Sequence, residues 1–120
     1  MAVTELMVGD WFCMNGKNQQ VKSVKHLNDL QILEDAGVKI EPIEITKEIL
    51  IKNGLRAGIS SIIDLPNGIH FEYYLHAHRL RLRWDNHQGI DDILIQCNVR
   101  YVHELQNLLR LCKIDKEIKL

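Results

Sequence analysis

Residues 69–84 constrain this chain more than any other stretch. Ile69, Phe71, Tyr73 and Leu75 alternate with His70, Glu72 and Tyr74, and Leu80, Leu82 and Trp84 alternate with Arg79, Arg81 and Arg83. A period of two is the signature of a strand with one buried face. Two such runs flanking a short connection predict an antiparallel hairpin. Parity then sets the register. Phe71 falls opposite Leu82 and Tyr73 opposite Leu80, which gathers the apolar set on one face and pairs Glu72 with Arg81 and His70 with Arg83 on the other. A slip of one residue would send every apolar side chain into water, so the register is strongly specified.

The rest of the chain reads as short elements around that hairpin. Residues 8–14 end in Asn15-Gly16, a dipeptide that tolerates positive φ at both centres of a tight turn. Residues 21–27, 30–33 and 38–40 follow as further strands, with turn signals at Asn28-Asp29 and Asp35-Ala36-Gly37, and this meander predicts a small-barrel-like sheet. Thr46 reads as an N-cap for a short helix over 47–53, with Ile45 stapling onto Leu50 and Asn53-Gly54 as its stop. Within 55–68, residues 59–65 have strand character and Pro66-Asn67-Gly68 marks a turn. Residues 85–92 form a polar loop, and 93–97 a third strand beside the hairpin. Val102, Leu105, Leu108, Leu109 and Cys112 recur at helical spacing, which predicts a C-terminal helix over 100–112 with His103, Gln106, Asn107 and Arg110 toward solvent. The expected fold class is α+β: two antiparallel β-meanders, the first small-barrel-like, with a short central helix and a packed C-terminal helix. One domain over 1–120 is expected, divisible into sub-lobes 1–45 and 46–120.

Composition removes several classes of function. The chain has 120 residues, 15 basic and 16 acidic, with 46% hydrophobic side chains, which is an ordinary globular balance. Residues 1–68 hold seven basic and nine acidic side chains and residues 69–120 hold eight and seven, so neither half is a polycation built to grip phosphates. No apolar run reaches the ~20 residues of a membrane span. Residues 1–6 contain Glu5 and no basic residue, so no secretory leader and no membrane attachment are expected. Cys13, Cys97 and Cys112 are odd in number and form no CxxC, which points to a reducing cytoplasm.

Sites of chemistry are sparse. The seven glycines are scattered as turn residues and group into no phosphate-cradling loop. None of the three serines sits in a G-x-S-x-G elbow. Cys97 beside His103 has the atoms of a thiol nucleophile, but its apolar run predicts an inert thiol. The carboxylate pairs Glu34-Asp35 and Asp91-Asp92 fall in turns, where solvated acids are ordinary. No catalytic residue and no cofactor are assigned. His76 and His78 are the best metal candidates, because i and i+2 on a strand share a side, but they lack a third ligand at a recognisable spacing, His87 and Cys97 being the distant options. The binding candidates are Arg79, Arg81 and Arg83 with Tyr74, since an arginine row beside an aromatic suits phosphates or stacked bases. Trp11 and Trp84 read as core residues.

Two segments carry a resemblance. The first is Val8-Gly9-Asp10-Trp11 with Asn15-Gly16-Lys17 and Val21, followed by Pro42-Ile43-Glu44-Ile45-Thr46, Ile49-Leu50 and Lys52-Asn53-Gly54. The second is Tyr101-Val102-His103-Glu104-Leu105-Gln106-Asn107-Leu108-Leu109. Together they resemble the uncharacterised small proteins of Bacteroidetes genomes, their prophages and other mobile elements. The glycine-aspartate-tryptophan hairpin also resembles the first hairpin of small barrels of the Src-homology and KOW kinds. The resemblance implies a small cytoplasmic accessory protein and transfers no activity, ligand or catalytic residue. At the C-terminus, Leu-Leu-Arg-Leu-Cys-Lys-Ile-Asp-Lys replaces the aromatic and following glycine of that family. The expected function is therefore a non-enzymatic protein-interaction or accessory module, its partner an unknown protein or a second copy recruited at unpaired strand edges. A nucleic-acid-binding module using the arginine-lined face is the alternative.

Overall fold

A computed structural model describes residues 1–55, 61–64, 68–85 and 91–120. Its strands are β1 (Trp11–Met14), β2 (Lys17–Gln20), β3 (Ile40–Glu41), β4 (Ser61–Asp64), β5 (Ile69–Tyr74), β6 (Arg79–Asp85) and β7 (Asp91–Asn98). Its α-helices are α1 (Val24–Asp35), α2 (Lys47–Lys52) and α3 (Val102–Leu111). The fold is α+β, as the sequence pattern requires. The chain divides into two compact units. One comprises Met1–Glu44, Tyr101–Ile118 and Leu120, and the other Ile45–Arg100 with Lys119.

The first unit is built on a three-stranded antiparallel sheet of order β2-β1-β3. The β1–β2 hairpin turns at Asn15 and Gly16, whose φ values of 52° and 74° are the paired positive angles that the Asn-Gly signal anticipates. Of the remaining strands of the expected first meander, the one over 38–40 survives as β3 at its C-terminal end, and the other two are not there. Residues 24–35 form α1, where strands over 21–27 and 30–33 were expected, and no barrel closes among the described residues. The reason is local. The Ser23 side chain accepts a hydrogen bond from the His26 backbone N–H at 3.1 Å and caps the helix. Leu27, Leu30 and Glu34 then share a face, where Leu30 is buried and the Glu34 carboxylate accepts from the Val3 N–H at 3.0 Å. Asn28 and Asp29, read as a turn, lie on the exposed face. Gly37, at φ +93°, ends the helix with its N–H on the Glu34 carbonyl, while Val38 N–H reaches the Leu33 carbonyl. Phe12, Val21, Leu30 and Ile40 form a core with Val3 and Leu6 from the N-terminal turn, and Met1, Met14, Leu27 and Val38 pack against it.

Helix α3 belongs to this unit and packs on β1. Its apolar stripe is as expected, with Val102, Leu105 and Leu109 all buried. Its polar row is only partly on the solvent side: Arg110 is exposed and Asn107 half-buried, but His103 is 3% and Gln106 5% exposed. Gln106 explains its own burial. Its Oε1 accepts from the Trp11 N–H at 2.9 Å and its Nε2 donates to the Gly9 carbonyl at 2.9 Å, so one amide satisfies two backbone groups at the start of β1. Asp10 is fully buried beside it. Its carboxylate accepts from Met7 N–H at 2.9 Å and pairs with the Arg110 guanidinium. The Trp11 indole donates to the Ile118 carbonyl at 2.8 Å and ties down the tail.

The second unit is a four-stranded antiparallel sheet of order β4-β5-β6-β7. The β5–β6 register is the one parity demands: Phe71 faces Leu82, Tyr73 faces Leu80, Glu72 faces Arg81 and His70 faces Arg83. Strand β4 occupies 61–64 of the expected 59–65, and β7 extends the expected 93–97 by two residues before it and one after it. Pro66, Asn67 and most of the expected 85–92 loop lie outside the described residues. Phe71, Tyr73 and Leu80 are each at most 2% exposed, and Ile45, Leu50 and Val99 are buried in the same unit. Burial of one such apolar side chain contributes about 1.5–3 kcal/mol. The Tyr73 hydroxyl is satisfied by donating to the Val99 carbonyl at 2.8 Å. Trp84 is a correction: it is 37% exposed, near the end of β6 opposite the half-buried Ile69 that begins β5. Helix α2 has the expected N-cap, the Thr46 hydroxyl accepting from Ile49 N–H at 3.3 Å, and Gly54 leaves it at φ +74°.

Candidate functional site: the arginine face of the four-stranded sheet

The hairpin places His70, Glu72 and Tyr74 of β5 and Arg79, Arg81 and Arg83 of β6 on one face, because residues two apart on a strand point the same way. At the centre of this polar row Glu72 is only 4% exposed. Arg83 Nε lies 2.6 Å from Glu72 Oε1, a close ion pair set off the line of a straight hydrogen bond. The Tyr74 hydroxyl donates to the other carboxylate oxygen, Oε2. Arg81 lies over the Tyr74 ring, 5.3 Å from its centroid, where the ring's negative face attracts a cation. Arg79, at the end of the row, is exposed.

The geometry follows one rule. In register, Glu72 faces Arg81 and Tyr74 faces Arg79, yet Glu72 pairs with Arg83 and Tyr74 with Arg81. Both contacts are shifted by two residues in the same direction along β6. A right-handed strand twist brings one set of diagonal neighbours together and separates the other, and long side chains reach across that diagonal. The β-bulge in β7, opposite Leu82 and Arg83, adds to the local twist there. The Glu72 hydrogen bond is the main reason that the Tyr74 phenol is held above its ordinary pKa of 10.0, with burial and the Glu72 charge adding and Arg81 and Arg83 opposing.

All four binding candidates, Arg79, Arg81, Arg83 and Tyr74, thus share one face, and the residue missing from that set is Glu72. Alternation alone marks Glu72 as a solvated partner of Arg81. Its position between two arginines on a central strand is the signal that would have pointed to burial. The histidines behave differently from the metal reading. His76 lies in a single 3-10 turn, Leu75–Ala77, and His78 follows in a left-handed conformation at φ 48°, with its carbonyl accepting from Val99 N–H at 2.7 Å. Neither is on a strand, so the same-side argument for two imidazoles does not apply. Among the described residues no three His, Cys, Asp or Glu side chains cluster as metal ligands, and His87 lies outside them. Cys13, Cys97 and Cys112 are half-buried thiols, none of them in a disulfide. No helix among the described residues is long and apolar enough to cross a membrane. No protein-family model, curated protein or solved structure matches the chain.

Proposed function

We propose that the chain is a non-enzymatic accessory module that works in the cytoplasm and docks another protein through the arginine face of its four-stranded sheet. The observation that carries this reading is the buried carboxylate of Glu72 inside the arginine row. It withdraws Arg83 from service as a free cation and orients Tyr74, which in turn holds Arg81. A surface so arranged is poorer in charge than its arginine count suggests, and Tyr74, Arg81 and Arg83 are held in place before any partner arrives. Tyr and Arg are the residue types enriched at the energetic centres of protein interfaces, and side chains already fixed lose little entropy on binding. Recognition of phosphates favours the opposite, a row of cations released to solvent. The resemblance to small prophage and mobile-element proteins is the reason for reading the role as accessory.

Site-specific photocrosslinking tests the proposal. Benzoylphenylalanine placed at Arg79, on the face, and at Lys52, at the exposed end of α2, is irradiated in a lysate of the protein's own host. A nuclease-resistant protein adduct formed from position 79 and absent from position 52 is the expected result. An adduct removed by nuclease, equal labelling at both positions, or no adduct at 79 overturns it.

A further inference from the structure

The first unit carries a second surface, independent of the arginine face. A groove of about 820 Å3 runs along β2 and past the first turns of α1, lined by Trp11, Gln20, His26 and the lysines Lys17, Lys22 and Lys25, with Asp29 as its one acid. The unit as a whole holds seven basic and ten acidic side chains. Three of those seven cations therefore gather in one groove of a unit whose net charge is negative. Among the described residues strand β2 is an edge, paired with β1 and with no other strand. In a hairpin with a two-residue turn, Lys17 and Gln19 exchange backbone bonds with Met14 and Phe12, so the N–H and C=O groups of Asn18 and Gln20 face away from β1.

We infer that this groove takes an extended acidic segment of a partner protein, which adds to the sheet as a strand beside β2. An outward row of alternating donors and acceptors is complementary to a peptide backbone. A nucleic-acid backbone offers acceptors without matching donors, and three lysines release too few counterions for strong binding to it. Lys17 on the edge strand, with Lys22 and Lys25 beside it, also prevents indiscriminate pairing between sheets, and the same charges that repel a basic strand attract an acidic one.

Amide NMR of the intact chain tests this with a short synthetic peptide of alternating glutamate and valine. The expected result is a set of shifts at Asn18, Gln20, Lys22 and Lys25. Lys17→Glu combined with Lys25→Glu weakens binding by about tenfold, the scale of losing two exposed ion pairs. The same peptide N-methylated at alternate residues keeps its charge but loses the strand bonds, and it does not bind. The inference is overturned if the peptide causes no shifts there, if the N-methylated or a lysine-valine peptide binds as well, or if an oligothymidine displaces the peptide at equal charge concentration. Arg79→Glu, on the other sheet, leaves peptide binding unchanged, so failure here and failure of the arginine-face reading are separable.

Discussion

Replacing Gln106 with leucine sets the burial of this side chain against the solvent position that periodicity assigns it. The substitution removes two hydrogen bonds of 2.9 Å. The two losses are unequal. The Gly9 carbonyl retains the Gln20 side-chain amide at 2.8 Å, so it stays satisfied and costs only a net hydrogen bond of about 0.5–1.5 kcal/mol. The Trp11 N–H has no such substitute, and a donor left unsatisfied under a helix costs about 1–3 kcal/mol. Leucine recovers part of this by burying apolar surface, which leaves a net destabilisation of about 2 kcal/mol. The assay is urea unfolding followed by the fluorescence of Trp11 in a Trp84→Phe background, so that the signal reports on the first unit alone. With a slope of about 2 kcal/mol per molar urea, the midpoint falls by about 1 M. Leu111→Gln, at a site 75% exposed on the same helix, is the control and moves the midpoint by less than about a quarter of that. Equal, small effects of the two substitutions would refute the reasoning.

Two more predictions follow from the same contacts. Gly9 has φ +94°, and a β-carbon there would stand 2.8 Å from the Arg110 Nη2 atom, so Gly9→Ala combines backbone strain with displacement of the Arg110–Asp10 pair and lowers stability by about 1–3 kcal/mol in the same urea assay. The raised pKa of Tyr74 means that the folded state favours the neutral phenol; this contribution is complete below pH 10.0 and is lost as pH rises through the raised value. Glu72→Gln brings the Tyr74 titration back toward 10.0, visible as phenolate absorbance appearing at lower pH for one of the three tyrosines.

The second unit was more legible than the first, and the difference is physical. Along 69–73 and 79–84 apolar and polar residues alternate without a break, so one observation, parity, determines strand type, faces and register together. Around α1 the pattern is blurred by Val24, Ile32 and Leu33, which are exposed, while Asn28 and Asp29 imitate a turn. The cap at Ser23, three residues before the His26 amide it binds, was the readable sign of a helix. The Asn-Gly hairpin and the Thr46 cap were legible because each rests on the conformational needs of one or two residues. Buried polar groups were not. Gln106 and Glu72 earn their places through partners distant in the chain or shifted by strand twist, and neither distance nor twist is written in local periodicity.

The account turns on Glu72 occupying the arginine row from within. Fluorescence anisotropy of a labelled oligothymidine at low salt measures this directly, with wild type beside Glu72→Gln. Wild type is predicted to bind weakly. The variant, with one negative charge removed from the arginine row, is predicted to bind more tightly, with a salt dependence steeper by about one counterion. Tight binding by the wild type that Glu72→Gln leaves unchanged would contradict it.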